Sequence, residues 1–427
     1  MPCPTIPTEL IAPAFSPATF ANPGAVDALF ARLRKNYPLA VAEVPGFDPH
    51  WIVTRWSDLR DVTRQDNIFH SSDRSKVLTT RMGEQMMRDF SGGLPHILRT
   101  LIHMDEPEHM NHRRVTDAQF MPKAISGLET KVRASAEAFV DMMAAQDGAC
   151  DFATDIAFLY PLQVIHDLVG VPREDHAKML RLTQWMFNYA DPDLCRPGAD
   201  VTKPEEQIET WNIVFNEFTE YYDALVKDRR ANPRDDLATL IANGQPGGCP
   251  MTQRTTISYF VIASTAGHDT TAATTATAMW HLAEHPEMLA QLKADPSLIP
   301  AFVEESIRWT SPVKHMIRSA AQDYVLSGQK IREGDLLYVS YVSANRDESV
   351  FDDPFSFRLD RNPNKHVSFG FGSHICLGQH LARLEMRTFW ETLLPRLESV
   401  ELSSPARMAH SEFVCGPKAV PIRYRMR

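Results

Sequence analysis

The sequence predicts a mainly α-helical protein with a smaller β-rich part. Helix-type spacing of apolar residues dominates from about 107 to 310 and returns over 377–396. Strand-type patterns are confined to about 40–75, to 318–360 and to strands near the C-terminus. No internal repeat, low-complexity tract or long linker divides the chain. We therefore predict a single domain over residues 1–427, with the β-rich part built from both ends of the chain.

The individual elements follow from local patterns. Helices are predicted at 124–143, 211–226, 252–284 and 377–396, with a further helix beginning near 57–59. Strands are predicted at 50–54 and 336–342, and a hairpin at 324–331. The first 50 residues are rich in Pro and have few periodic runs, which predicts an extended or loosely helical lead-in.

Composition excludes several classes of protein. The formal net charge of −10 over 427 residues argues against nucleic acid as the main partner. Residues 1–7 lack the pattern of a secretory signal, and no stretch has the ~20 apolar residues of a membrane anchor. The cysteines have no paired spacing, which indicates reduced thiols in a cytoplasmic protein. They are Cys3, Cys150, Cys195, Cys249, Cys376 and Cys415.

One cysteine lies in an unusual loop, residues 369–378, just before the last predicted helix. Three glycines permit a tight backbone, and loop N–H groups with the helix dipole favour a thiolate at Cys376, the form that ligates metals. Two other interpretations remain at this point. A free cysteine is commonly just a small core residue. A zinc site with His374 would need a second ligand pair, and none occurs nearby at zinc spacing.

Resemblance decides between these interpretations. Residues 369–378 match Phe-Gly-x-Gly-x-His-x-Cys-x-Gly, the haem-binding signature of the cytochrome P450 family. Segments 266–271 (Ala-Gly-His-Asp-Thr-Thr), 305–308 (Glu-Ser-Ile-Arg) and 109–113 (His-Met-Asn-His-Arg) resemble three further motifs of that family, in the same order. The resemblance covers nearly the whole chain. It implies a triangular helical prism that holds haem b between a long central helix and the cysteine-loop helix.

The resemblance also implies roles for particular residues. Cys376 is the expected iron ligand, and thiolate ligation favours O–O cleavage. Asp269 and Thr270 are the expected acid–alcohol pair of the central helix, and His268 stands at a variable position to which no catalytic role is assigned. The other expected haem neighbours are His109, Arg113, Arg318, His374, Phe369, Gly370, Gly378, Ala266 and Gly267.

Glu305 and Arg308 are one helical turn apart, a spacing that also suits a weak surface pair. The resemblance implies instead a buried pair that supports the cysteine loop. The central segment 252–284 is long, and small residues and threonines occupy its middle. Close helix packing would explain these residues, but we favour a helix bent or widened beside the iron, where threonine hydroxyls disturb the backbone ladder.

Flexible methionines and aromatic residues in 76–100 and 179–195 suit a compact apolar ligand, although ordinary core packing would use the same residues. The candidate substrate-pocket residues are Met82, Met86, Met87, Phe90, Phe187, His315 and Met316. In overall pattern the chain most resembles bacterial terpineol and alkyl-aromatic hydroxylases. This implies hydroxylation of a monoterpene or alkyl-aromatic hydrocarbon with O2.

No reductase follows the haem segment, so the resemblance implies a [2Fe-2S] ferredoxin served by a flavin-dependent ferredoxin reductase, and a monomeric enzyme. A basic patch for an acidic ferredoxin is predicted from Arg113, Arg114, Lys365, Arg383 and Arg387. Two alternatives are a peroxide-dependent hydroxylase, disfavoured because Asp269 and Thr270 are present, and a non-catalytic haem sensor, disfavoured because no signalling domain is attached.

Overall fold

The computed structural model describes residues 4–427, and most of its helices lie where apolar spacing predicts them. The α-helices are α1 Thr8–Ile11, α2 Pro23–Asn36, α3 Trp56–Arg64, α4 Arg81–Ser91, α5 Glu108–Arg113, α6 Asp117–Phe120, α7 Pro122–Ser126, α8 Glu129–Ala144, α9 Leu159–Val169, α10 His176–Phe187, α11 Pro204–Ala231, α12 Leu237–Ala242, α13 Gln253–Ala266, α14 Asp269–Glu284, α15 Pro286–Ala294, α16 Ile299–Thr310, α17 Tyr341–Ala344 and α18 Gln379–Leu393. The mainly helical prediction is confirmed.

The strands are short and come from both ends of the chain. They are β1 Thr5–Ile6, β2 Leu39–Ala42, β3 His50–Val53, β4 Phe69–His70, β5 Ala149–Asp151, β6 His315–Ala320, β7 Tyr324–Leu326, β8 Gln329–Ile331, β9 Leu336–Ser340, β10 Leu397–Leu402, β11 Arg407–Met408, β12 Pro417–Ala419 and β13 Pro421–Met426. The predicted hairpin at 324–331 is β7 and β8, and the predicted buried strand is β9.

The main sheet interleaves early and late strands in the order β1-β2-β3-β9-β6-β4. Strand β3 pairs with β9 in parallel, with Trp51 opposite Leu337, and β9 pairs with β6 antiparallel. All five residues of β9 are buried, as a central strand covered on both faces requires. A second sheet has the order β10-β13-β5.

The N-terminal lead-in is more helical than predicted. Helix α2 runs for 14 residues and buries Val26, Leu29, Phe30 and Leu33, which recur at helical spacing. Its start has a standard cap, since the side chain of Asn22 accepts the backbone N–H of Ala25. The sequence analysis missed this helix because it took the surrounding prolines as evidence for an extended chain and overlooked a short but regular apolar stripe.

The predicted long helix at 252–284 is interrupted. Helix α13 ends at Ala266 and α14 begins at Asp269, so Gly267 and His268 form a break. A Cβ on Gly267 would lie 2.5 Å from Cγ1 of Ile165 and 2.7 Å from the carbonyl oxygen of Ala263, so only glycine lets α9 approach this closely. The break confirms the predicted distortion of the helix, and the contact of Gly267 with α9 shows that the alternative, close helix packing, also applies here.

Apolar packing is divided between the helices and the sheet. The largest buried cluster includes Phe152, Tyr160, Phe260, Phe389 and Trp390, all from the helical part. Two smaller clusters flank the main sheet. The helix α14 residue Trp280 packs against both the helical cluster and one sheet cluster.

None of the helices of the described residues is long and apolar enough to cross a membrane. That residues 1–427 form a single domain stays a prediction.

Candidate active site

The cysteine loop adopts a tight turn. The backbone N–H of Cys376 donates to the carbonyl of Phe369 at 2.8 Å and closes the loop. Gly372 has a φ of +82°, and a Cβ there would collide with the carbonyl oxygen of Thr63, so this glycine is required where the loop abuts helix α3. Arg113, on α5, donates to the carbonyl of Ile375 at 2.8 Å and fixes the loop from the other side.

The Cys376 side chain borders space inside the protein. It is accessible although burial raises the pKa of its thiol. Burial is the largest effect. The backbone N–H groups of Gly378 and Gln379 act in the opposite direction, as predicted, and so do the charges of Arg113 and Arg383, but they are too weak to give the predicted thiolate. The loop alone therefore favours a thiol, and a bound cation is needed to favour the thiolate.

Buried cations converge beside the loop. Arg318, on β6, and Lys76 are 4% and 2% exposed, and among the described residues neither has a carboxylate within ion-pair distance. Lys76 donates to the hydroxyl of Ser71 at 2.7 Å. Burial, followed by the charge of Arg318, holds the pKa of Lys76 well below its usual value. His109 and His374 stack nearby, with ring centroids 4.0 Å apart.

Lys76 was missed by the sequence analysis. A single lysine in a variable segment has no distinguishing pattern, and only the fold brings it near Arg318. Two cations buried without an acidic partner are costly, and an anion between them would offset that cost. The four side chains, two cationic and two imidazole, therefore fit a group that carries carboxylates.

The central helix presents its small residues to the interior. Ala266, the last residue of α13, is exposed, and Gly267 in the break is half-buried. Asp269 is 7% exposed and, within residues 4–427, has no hydrogen-bond or ion-pair partner; burial raises its pKa to about 7. The hydroxyl of Thr270 donates to the carbonyl of Ala266 over 3.3 Å, a long bond that is easily exchanged for another acceptor.

Glu305 and Arg308 are fully buried and paired through two hydrogen bonds of 2.7 and 2.8 Å. Arg308 also donates to the carbonyls of Asn345 and Pro354, both at 2.9 Å. From Asn345 the network continues to Ser368, which directly precedes the cysteine loop. This geometry is the buried supporting pair that the resemblance implies, not the surface pair that the spacing alone allows.

The candidate pocket residues fall into different environments. Met82, Met86 and Phe90 form an exposed stripe on α4 and are 56%, 39% and 51% accessible. Met87 is half-buried, and Phe90 packs edge-to-face on Phe215 of α11 at 5.9 Å. Within the segment 76–100, residues 81–91 thus form a helix with an apolar outer face.

Nearer the central helix the candidates divide again. Phe187 and Met316 are half-buried, and Phe187 lies 6.2 Å from Phe413. His315 is fully buried and uses both ring nitrogens within the protein, one with the backbone N–H of Leu78 and one with the carbonyl of Glu412. It therefore has no free nitrogen for a substrate, and we do not retain it as a pocket residue. Lys314 is also buried, and its ammonium group donates to the carbonyl of Thr310.

The comparisons with known proteins agree with this geometry. The sequence model of the family described as cytochrome P450 matches residues 63–422. This chain belongs to the cytochrome P450 family. It is 41% identical to cytochrome P450-terp of a Pseudomonas species, over 98% of each chain. It is 30% identical to linalool 8-monooxygenase of Pseudomonas putida, over 91% of this chain and 93% of the relative.

Solved P450 structures share the fold. The crystal structure of CYP108D1 from Novosphingobium aromaticivorans superimposes with a TM-score of 0.91 at 39% identity, covering 99% of this chain and 100% of the other. CYP268A2 of Mycobacterium marinum, in complex with pseudoionone, gives 0.86 at 28% identity, covering 96% and 97%. The chain has the P450 fold and is a mono-oxygenase of the oxidoreductase class.

As a P450, the protein uses haem b. The site fits this group on two structural grounds, which are the interior-facing thiol of Cys376 and the buried cations that lack acidic partners. We propose that Cys376 ligates the iron, that Lys76, Arg318, His109 and His374 hold the propionates, and that Ala266 and Gly267 let the central helix cross the opposite face. When bound, thiolate-ligated haem supplies the oxygen-activating redox chemistry.

Proposed function

We propose that this P450 hydroxylates a monoterpene or an alkyl-aromatic hydrocarbon with O2 and two electrons. The observation that carries the proposal is the 41% identity to cytochrome P450-terp over 98% of both chains. The name of linalool 8-monooxygenase and the pseudoionone complex of CYP268A2 point to compact terpenoid ligands among the relatives. The half-buried Phe187, Met316 and Phe413 offer apolar surface of the type that such ligands need.

Asp269 and Thr270 are proposed to manage protons at this site. A carboxyl group with a pKa of about 7 is protonated about as often as not at neutral pH, so it can both accept and release a proton. The hydroxyl of Thr270 can exchange its long bond to the carbonyl of Ala266 for a hydrogen bond to water or another acceptor in the site. Cys376 is proposed to remain a thiolate throughout.

The substrate proposal is tested by optical titration of the ferric holoprotein. Linalool, limonene and p-cymene should each displace iron-bound water and shift the Soret band to shorter wavelength, with dissociation constants in the micromolar range. Two matched ligand controls come from other relatives, which are named as a steroid C26-monooxygenase and a methyl-branched lipid omega-hydroxylase. A steroid or fatty acid that shifts the band while the three small ligands do not would refute the proposal.

The ligand proposal is tested by Cys376→Ala. Reduction and addition of carbon monoxide should give the strongly red-shifted Soret band of a thiolate complex in the wild type and not in the variant. Cys195→Ala removes another free, half-buried thiol and serves as the control. An unchanged band in Cys376→Ala would exclude this residue as the ligand.

We also propose that an acidic [2Fe-2S] ferredoxin, reduced by a flavin enzyme, docks on the cysteine-loop face. Three of the cations predicted for that face are neutralised, because Arg383 pairs with Glu304 at 2.6 Å, Arg387 lies 3.7 Å from Glu129 and Arg113 lies 3.8 Å from Asp117. Arg114 and Lys365 are exposed and have no ion-pair partner among residues 4–427.

Arg60 and Arg64 are proposed to supply positive charge on the cysteine-loop face in place of the neutralised cations. Their guanidinium carbons lie 4.1 and 4.8 Å from the ring centre of Phe371, in the cysteine loop, and neither has an acidic partner within the described chain. The sequence analysis missed them because α3 is remote from the loop in sequence. Charge complementarity mainly accelerates association.

The partner proposal predicts that Arg64→Glu slows reduction by a ferredoxin at low salt, with a difference that shrinks as salt increases. Arg181→Glu on α10 changes the same charge and is the control. Equal rates for wild type and Arg64→Glu at every salt concentration would contradict the docking site.

We also propose that the protein is cytoplasmic, because its described cysteines are unpaired. We expect a monomer, which size-exclusion chromatography would show.

A further inference from the structure

Three histidines lie in a row beside the break in the central helix. His166, on α9, is 5.9 Å from His268 and 5.1 Å from His176, measured between ring centroids. His166 and His268 are fully buried, whereas His176, at the start of α10, is partly exposed. The row therefore runs from the protein surface to the residue that directly precedes Asp269.

Most ring nitrogens of the two buried histidines can form hydrogen bonds for which the described residues supply no partner. Among residues 4–427, neither nitrogen of His166 has a hydrogen-bond partner, and the Nε2 atom of His268 has none. Unpartnered polar atoms are destabilising inside a protein, and they are commonly satisfied by ordered water. An apolar side chain would fill the position of His166 without that cost.

The protonation states suit transfer. Nδ1 of His268 lies 2.8 Å from the carbonyl of Ser264, which can only accept, so this nitrogen carries the proton and Nε2 is left as the acceptor. Burial lowers the pKa of His268 to about 4 and holds that of His166 well below its usual value. Both rings are therefore neutral at pH 7, and a neutral imidazole can take a proton at one nitrogen and release one from the other.

Within residues 4–427, no carboxylate, lysine or arginine shifts the pKa of His166 or His268. The groups that act on His166 are His268 and His176 alone, and those that act on His268 are His176 and the carbonyl of Ser264. At the outer end, His176 faces Asp167, Asp175 and Arg173 as well as the carbonyl of Val171. Burial lowers the pKa of His176 overall, and the two carboxylates partly offset that effect and so favour its protonation from solvent.

We propose that His176, His166 and His268 form a proton path from the surface to Asp269. A proton from water binds His176 and passes through ordered water to His166 and then to Nε2 of His268. Because the Nδ1–H of His268 stays bonded to the carbonyl of Ser264, the same Nε2 atom releases the proton through ordered water to the carboxylate of Asp269. Each imidazole gains one proton and loses one, and no electrons move. Mono-oxygenation consumes two protons for the oxygen atom that leaves as water. The inference rests on the proposed role of Asp269.

His166→Phe and His176→Phe test this path, with His281→Phe as the matched control. His281 is also a partly buried histidine on α14, with a pKa lowered by burial, but it stacks on Phe357 and lies outside the row. We expect the path variants to lower the product formed per NAD(P)H about threefold or more and to increase the solvent deuterium isotope effect on turnover. The control should change neither quantity.

A second readout does not depend on turnover. In ligand-free holoprotein moved into D2O, the infrared band of the protonated Asp269 carboxyl group, assigned with Asp269→Asn, should shift more slowly in both path variants than in His281→Phe. His176 is partly exposed, so His176→Phe should fold. The path would be refuted if the folded variant exchanged deuterium at Asp269 as fast as the wild type and formed as much product per NAD(P)H. If Asp269→Asn itself turns over normally, the role of Asp269 fails instead, and the two failures are distinguishable.

Discussion

The two sides of the active site differ in whether their buried polar groups are paired. Behind the cysteine loop, Glu305 and Arg308 satisfy each other and the backbone, and Asn345 links them to Ser368. Beside the central helix, Asp269 is buried without a partner within the described chain, and burial raises its pKa to about 7. Paired groups fix a shape, whereas an unpaired carboxyl group near neutrality can exchange protons. The difference separates the part of the site that holds its geometry from the part that we propose handles protons and substrate.

The largest expected effect is on the paired side. Glu305→Gln leaves the buried charge of Arg308 without its carboxylate, so we expect the free energy of unfolding to fall by about 3–5 kcal/mol, measured by urea denaturation of the holoprotein. Asp360→Asn, which disrupts an exposed pair with Arg358, is the control and should be close to neutral. The contrast between the two sides would be lost if both variants were equally stable.

Asp269 is expected to affect the free energy of unfolding by a comparable amount, but in a way that depends on pH. The folded protein retains a proton on this carboxyl group that the unfolded chain releases as pH rises from about 4 to 7. Its ionisation therefore destabilises the fold progressively over that window, by about 4 kcal/mol in total, because one pKa unit is worth about 1.4 kcal/mol.

Asp269→Asn should remove this pH dependence. The stability of the variant relative to wild type should rise between pH 4 and pH 7 and level off above, as measured by denaturation at a series of pH values. A difference that does not vary with pH would show that Asp269 is ionised normally in the folded protein. It would also remove the reason for assigning proton exchange to this side.

The smallest expected effect on stability is at the apolar stripe of α4. Met86→Ser should change the free energy of unfolding by less than about 0.5 kcal/mol, because the side chain is 39% exposed. If the stripe contributes to substrate binding, the dissociation constant of linalool should rise roughly threefold by optical titration. Met142→Ser, on the exposed face of α8, is the control. Equal linalool binding in all three proteins would exclude Met86 from the substrate site.

The sequence predicted what local pattern and motif encode. The cysteine loop, the strands β7 to β9 and the distortion within 252–284 were all indicated by residue types in a short window. The helix α2 was missed because prolines obscured a regular stripe. Lys76, Arg60 and Arg64 were missed because their importance arises only where α3 and the segment before α4 meet the loop. Pairing of Arg383 with Glu304 likewise depends on a contact between helices distant in sequence.

The interleaved order of the main sheet has a consequence for synthesis of the chain. The ring N–H of Trp51, on β3, donates to Asp335, which lies 284 residues later. At ribosomal rates of about 5–20 residues per second, β3 emerges on the order of tens of seconds before its partner β9. During that time the buried Trp51, Ile52 and Val53 can pair only with β2, and the edge that β9 later covers stays open. The nascent N-terminal segment is therefore a natural client for chaperones, and the sheet is among the last parts of the protein to form.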